Sequence, residues 1–313
     1  EDQTFGLDPK SVEARVTPRT KAILVVHLFG HPADMDPILE IARRRKLVVI
    51  EDCAQAPGAS YKGRPVGTLG DMGVFSLNYH KHIHTGEGGV ITTNSELFAK
   101  RLQLIRNHGE TVVEEMGHPE VANLFGFNYR LTELQAAIGI EQLKKLERLV
   151  EPRIALAAHL AERLKNFPAL APAVTRAGCR HVFYVQPMKY NAELAGIPRD
   201  TFLAAMRAEG IPLCGGYVAP LYWQPMYQKK LGMGGSGFPF VGPHYSGIAD
   251  YPRGLCPVAE RMHLKELFYH DLMRPPVTPA DLDNFADAVE KVLGAADQLA
   301  NWHAVSPCPP VEA

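Results

Sequence analysis

Residues 78–89, NYHKHIHTGEGG, set His80, His82 and His84 at alternate positions around Lys81 and then turn on Gly86, Gly88 and Gly89. Two chemistries fit these residue types. Alternate residues of a strand share one face, so three imidazoles could converge on zinc. Against that reading, the glycines that follow interrupt regular strand geometry. The other chemistry is nucleophilic: an amine at Lys81 could form an imine with an aldehyde cofactor. A free lysine at neutral pH is deprotonated only about one part in 2,500, a handicap of about 4.6 kcal/mol that a desolvated pocket would reduce. Upstream, Asp52 closes the apolar run LVVIED, where a carboxylate needs a cationic or hydrogen-bond-donating partner, and a protonated pyridine nitrogen is one. Ser76 and the glycine turn could offer hydroxyl and backbone donors to a phosphate. Plainer roles stand beside these: Asp52 as a helix cap, Gln55, Ser76 and Asn128 as turn or cap residues, and the histidines as ordinary loop residues.

The elements that must position these groups can be read from periodicity. KAILVVHLFG (21–30), a helical MDPILEIARRRK (35–46) and LVVIEDCAQA (47–56) make a βαβ unit. Two short runs, GVFSLN (73–78) and GGVITT (88–93), flank the lysine loop, and a helix follows with Ser95 as N-cap and Gly109 as its stop. Apolar strands without alternation predict a sheet covered on both faces, in which ligands sit at the carboxyl ends of the strands. Asp52 and the lysine loop both lie there. Helical spacing runs from Thr132 to about Lys165, with a kink or break expected at Pro152. The fold class is therefore α/β, with a large doubly wound, mostly parallel domain over 1–166 and a smaller α/β domain over 167–313. The second domain opens with the strand-like HVFYVQPMKY and the helix RDTFLAAMRAEG, passes a long Pro/Gly/aromatic loop or lid over 215–251, and ends in a helix capped by Thr278.

Composition narrows the partners. Basic and acidic side chains number 33 and 34 in 313 residues, so no global field favours nucleic acid or an anionic membrane. Any anionic ligand must be held locally. Five scattered cysteines without a C-x-x-C pair argue against a disulfide framework or a zinc ribbon and fit a reducing cytoplasm. No apolar run approaches the roughly 20 residues of a spanning helix, and EDQTFGLDPK has neither part of a signal peptide. The late arrival of the first strand predicts that the large domain is incomplete at its N-terminal side.

EDCAQAPGASYKGRPVGTLGDMGVFSLNYHKHIHTGEGGVITT, with GFNYRLTELQAAIGIEQLKKLE further on, resembles the DegT/StrS family of pyridoxal-phosphate aminotransferases, which act on nucleotide-linked keto sugars and keto cyclitols. The resemblance runs in order along essentially the whole chain. It implies fold type I and pyridoxal 5'-phosphate as cofactor, with no metal. Lys81 would be the lysine that bonds the cofactor and later moves the substrate proton. Asp52 would keep the pyridine nitrogen protonated, Gln55 would lie near the ring and Ser76 would bind the phosphate. Asn128 would reach the phosphate of a neighbouring subunit, making a homodimer the catalytic unit. Tyr217 and Tyr222 would line the sugar site. His80, His82 and His84 depart from the family, being more imidazoles than this loop usually holds, and His82 is expected as a contact to an acidic substrate.

The implied reaction carries an amino group from glutamate or glutamine to a keto or aldehyde sugar, with a nucleotide attached. Two rivals use the same scaffold, a sugar dehydratase and a non-catalytic regulator. The dehydratase branch carries histidine where this chain has Lys81, and the regulator is disfavoured by Asp52, Gln55 and Lys81 together. Family members also carry an N-terminal glycine–threonine helix start and a ring-stacking aromatic that this chain lacks.

Overall fold

The computed structural model describes residues 1–109, 124–233, 237–242, 250–300 and 302. Its contacts divide the chain into two compact units: Thr4–Ala155 with Thr175–Tyr184, and Leu156–Val174 with Glu1–Gln3 and the chain from Val185 onward. The division does not follow a single cut at 166/167. The Leu146–Leu164 helix contributes to both units, and ten residues beyond it return to the first.

The first unit is built on a four-stranded sheet in the order β1 (Ala22–Val26), β2 (Val48–Asp52), β5 (Met72–Ser76) and β6 (Gly89–Thr92). The first three strands are parallel, and β6 runs antiparallel to β5. β-Branched runs make the strands, and the Met35–Arg45 helix makes the right length of crossover between β1 and β2. Its Met35, Ile38 and Ile41 pack with Ile23, Val25 and Val49 in the buried core on one sheet face. The expected cover on both faces is met on that face only among the described residues. Strand β1 alternates in exposure and Leu24 is 58% exposed, because its side chain points to the opposite face. A small antiparallel sheet joins β3 (Ser60–Tyr61) to β4 (Arg64–Pro65) and to β8 (Cys179–Arg180).

The second unit holds an antiparallel sheet in the order β10 (Cys214–Gly215), β11 (Leu267–His270), β9 (Gln186–Tyr190) and β7 (Leu170–Pro172). The strand expected over 181–190 is shorter, since 181–184 belong to the first unit. The Arg199–Ala208 and Pro279–Gly294 helices bury Phe202, Met206, Phe285 and Val289. Thr278 caps the Pro279–Gly294 helix in a reciprocal box with Asp281, and Thr132 does the same with Gln135 for the Glu133–Leu143 helix of the first unit.

The helical break falls at Lys144–Lys145 rather than at Pro152, which sits inside the Leu146–Leu164 helix. Buried Val150, Leu156, Leu160 and Leu164 hold that helix along its length, so the missing proline N–H does not end it. A helix over Pro9–Arg15, capped by Asp8 with proline at its start, precedes β1 where no element was predicted. Within the 215–251 loop, Leu221–Trp223 and Pro225–Gln228 form short helical turns, while 234–236 and 243–249 lie outside the described residues, as do Cys308 and the rest of the tail.

Candidate active site

Period-two alternation in β2 sends Val49 and Glu51 into the core and Ile50 and Asp52 to the other face. There they line an open cleft of about 370 Å³ together with Leu24, Val74, Ser76 and Gly89. Its floor is the uncovered sheet face, and its rim is the carboxyl end of β2 and β5. The Asp52 carboxylate accepts from the Ala54 N–H at 3.0 Å, which fixes it at the strand end. The Ser76 hydroxyl accepts from the Asn78 N–H at 3.2 Å.

Lys81 stands in the tight loop between β5 and β6. Its N–H donates to the Asn78 carbonyl at 3.0 Å, and Asn78 in turn donates through Nδ2 to Glu87 at 2.7 Å. Leu77 pairs with the Gly88 carbonyl and Thr85 with the Leu77 carbonyl, closing the loop from below. Gly88 has φ +154° and a Cβ there would stand 2.8 Å from Thr85 Oγ1, so the turn needs glycine. The Lys81 side chain is half-buried and its amine lies 4.7 Å from the centre of the Tyr184 ring. Burial lowers its pKa below the usual lysine range, with the Asp52 charge pulling the other way. The charge of Asp52 therefore reaches the Lys81 amine.

The three histidines do not converge. His80 is exposed with its ring edge-on to Tyr79, and His84 Nδ1 accepts from the Gly86 N–H. His82, expected as a substrate contact, is 5% exposed, with Nε2 bonded to the Val182 carbonyl at 2.9 Å. Burial holds its pKa down at about 3, with the Arg153 charge adding to the effect. It is a neutral core residue beneath the lysine.

The remaining expected residues are spread more widely. Gln55 accepts from the Phe29 N–H at 2.7 Å, and so braces the turn after β1. Asn128 lies on an exposed segment, paired with Asn107 and accepting from Arg130 Nε at 3.1 Å. Tyr217 and Tyr222 belong to the other unit. Tyr217 packs edge-on to Tyr269, and Tyr222 gives its hydroxyl to Glu260 and accepts from the Cys256 N–H, so that burial and the Glu260 bond push its pKa up to about 12.

A second cluster escaped the sequence reading. Glu51, fully buried, accepts from His27 Nε2 at 2.9 Å, from the Gly67 N–H at 2.8 Å and from the Leu69 and Gly70 N–H groups at 2.7 Å each. His27 Nδ1 accepts from the Ala33 N–H, which leaves the ring proton on Nε2 for the carboxylate. Burial pushes the Glu51 pKa up, yet His27 and the glycine N–H groups outweigh it and hold it low. Cys53 Sγ lies within 4.8 Å of both, but the carboxylate and imidazole are already engaged by donors that a metal ion would have to displace. Glu51, supported by His27, clamps the 67–70 loop to β2 just behind Asp52. The signal for it was a glutamate on the core side of an apolar strand.

Residues 1–240 match the model of the DegT/DnrJ/EryC1/StrS aminotransferase family. A GDP-perosamine synthase of Caulobacter vibrioides is 42% identical over 211 residues, 67% of this chain and 55% of that protein. An L-glutamine:2-deoxy-scyllo-inosose aminotransferase of Streptoalloteichus tenebrarius is 36% identical over 93% of this chain and 69% of its own length. This chain belongs to the DegT/DnrJ/EryC1/StrS aminotransferase family. Among solved structures, S. venezuelae DesV superposes with TM-score 0.76 at 30% identity, covering 94% of this chain and 70% of that one. An aminotransferase from Psychrobacter cryohalolentis gives 0.78 at 29%, covering 95% and 74%.

The family consists of pyridoxal-phosphate-dependent aminotransferases of the sugar-modifying type with a mixed α/β fold. The cleft suits that cofactor chemically. It offers a carboxylate held at a strand end, a hydroxyl on the sheet and a glycine turn without side chains, and the loop that leaves β5 carries the half-buried Lys81 amine.

Proposed function

We propose that this protein transfers an amino group from glutamate or glutamine to a keto or aldehyde group on a sugar or cyclitol, with a nucleotide-linked sugar as the first acceptor to try. The observation that carries the reading is the placement of Asp52 and Ser76 at the carboxyl ends of β2 and β5 in one cleft, with Lys81 half-buried in the loop that leaves β5. Pyridoxal phosphate, when bound, supplies an electron-withdrawing ring that stabilises negative charge at the substrate carbon. The protein's part is proton handling and orientation. Partial burial reduces the cost of freeing the Lys81 Nζ lone pair, so this nitrogen can bond an aldehyde carbon and, when released, carry a proton between substrate and cofactor atoms. Asp52 presents a fixed negative charge to a protonated pyridine nitrogen. Ser76 Oγ and the backbone of the Gly88–Gly89 turn hold the phosphate, and Gln55 steadies the wall beside the ring.

Asn128 completes the site of a second copy, and the catalytic unit is a homodimer. Support comes from an exposed apolar surface on the same unit, with Phe125 85%, Leu134 79% and Ile140 60% exposed. A donor named in the relatives, L-glutamine, is the reason to test it first. No described helix is long and apolar enough to cross a membrane, and the proposed location is the cytoplasm, where both substrates would be found.

The test is amine-product formation from a panel of keto sugars and cyclitols, free and nucleotide-linked, with glutamate and glutamine as donors. Lys81→Ala should lower turnover by at least about 10³-fold, since base and nucleophile are lost together. A Lys81→Ala enzyme within tenfold of the parent would overturn the assignment.

A further inference from the structure

We propose that the ring of Tyr184 is a resting place for the Lys81 ammonium, making Tyr184 a positioning residue for amine transfer. The inference rests on the assignment of Lys81 as the reacting amine and adds a residue to it. In a two-half amine transfer the lysine is released while the amine is carried, and it must then keep both its place and its proton until it is needed again. The Lys81 Nζ lies over the Tyr184 ring, 4.7 Å from its centre, within the range in which a ring face attracts a cation and not a neutral amine.

The backbone that carries the ring is held from several sides. The Tyr184 N–H donates to the Phe29 carbonyl at 2.8 Å, and its carbonyl accepts from Arg153 Nη1, which also reaches the Phe183 carbonyl at 3.2 Å. Val182 donates to the Gly30 carbonyl at 3.0 Å and accepts from His82. Phe29 donates to Gln55, so a candidate cofactor residue and the ring share one support. Gly30, at φ +94°, makes this close passage possible: a Cβ there would lie 2.9 Å from Val182 Cγ2 and 3.1 Å from the Phe183 nitrogen. The rings of His82 and His80 stand 6.0 and 6.3 Å from Tyr184 and limit its tilt.

The charged and titratable groups around the amine act in known directions. Burial favours the neutral amine, and Asp52 at the end of β2 favours the cation. His82 is held neutral by its own burial, with Arg153 adding to the effect, and His80 is likewise pushed toward neutrality. Neither imidazole competes for the ring face. The Tyr184 face is a neutral surface beneath Nζ that favours its cationic form over the free amine, which is what a proton-holding rest requires.

The experiment uses the full chain freed of cofactor. Competitive acetylation with acetic anhydride across pH, read by mass spectrometry on the Lys81 peptide, gives the apparent pKa of that amine. Wild type is compared with Tyr184→Phe, Tyr184→Leu and a chain carrying trifluorophenylalanine at 184, which keeps the shape of Phe and removes most of its negative face. Tyr184→Phe should stay within about 0.3 unit of wild type, and the fluorinated ring should lower the Lys81 pKa by about 0.4 to 1.5 units, a 2.5- to 30-fold change in the ammonium-to-amine ratio. An unchanged pKa in the fluorinated protein overturns the inference, whether or not Tyr184→Leu folds. The two proposals fail separately. Retained amine transfer in Lys81→Ala sinks the lysine assignment, whereas a flat fluorination series beside an inactive Lys81→Ala sinks only the role of Tyr184.

Discussion

Replacing Glu51 by glutamine changes one buried oxygen to an N–H₂ group and should reveal how firmly the floor behind Asp52 is built. The carboxylate accepts four bonds, from His27, Gly67, Leu69 and Gly70, all between 2.7 and 2.9 Å. A glutamine oxygen facing Leu69 and Gly70 leaves its amide aimed at two donors, His27 Nε2–H and the Gly67 N–H. Two buried donors without acceptors cost about 3 to 5 kcal/mol. The two tryptophans, Trp223 and Trp302, lie in the other unit, so hydrogen exchange at the Gly67, Leu69 and Gly70 amides is the direct readout. Protection there should fall by about two to four orders of magnitude. Acid adds a second test. The folded pKa of Glu51 is held below its unfolded value, so its stabilisation is present above roughly pH 4.3 and is lost as pH falls through the depressed folded value. The gap between wild type and Glu51→Gln should therefore close in that acid window. Protection within threefold of wild type at pH 7 would refute the clamp.

Three further outcomes follow from the same geometry. In Gly73→Ala the added Cβ would lie 2.3 Å from the Gly67 Cα and 2.6 Å from its carbonyl oxygen, so the clamped loop must move at a cost of about 3 kcal/mol or more, and a wild-type denaturation midpoint would contradict this. His82, neutral in the fold with a pKa of about 3, binds its proton more readily when unfolded, so it costs wild type about 1.4 kcal/mol per pH unit as pH falls below about 6.5; His82→Gln should remove that slope, and parallel midpoints between pH 7.5 and 5.5 would exclude it. Thr278→Ala removes one half of a capping box and should destabilise the second unit by about 1 kcal/mol in chemical denaturation, with Thr278→Ser largely restoring it.

The positions of Asp52 and Lys81 were legible because both side chains follow apolar strands directly. Asp52 and Lys81 each end or follow such a run, and strand ends in a parallel sheet are where ligands gather. The burial of His82 was not legible, since its acceptor is the carbonyl of Val182, far along the chain. Nor was the clamp, although alternation in VVIED puts Glu51 and Asp52 on opposite faces and a buried glutamate demands donors. The Pro9–Arg15 helix is short enough to hide within polar sequence, despite its Asp8 cap. At Lys144–Lys145 no glycine or proline marks the break, and a proline that does stand nearby is carried within a helix by its buried neighbours.

The first unit takes back residues 175–184 after the chain has already left it. On the ribosome, Lys81 emerges about a hundred residues before Tyr184, an interval of roughly 5 to 20 s at ordinary elongation rates. Throughout that delay the nascent lysine is an uncovered amine like any other on the surface. It acquires its special surroundings only when the returning segment docks, so premature termination anywhere before Tyr184 would yield a product with the lysine present and its setting missing.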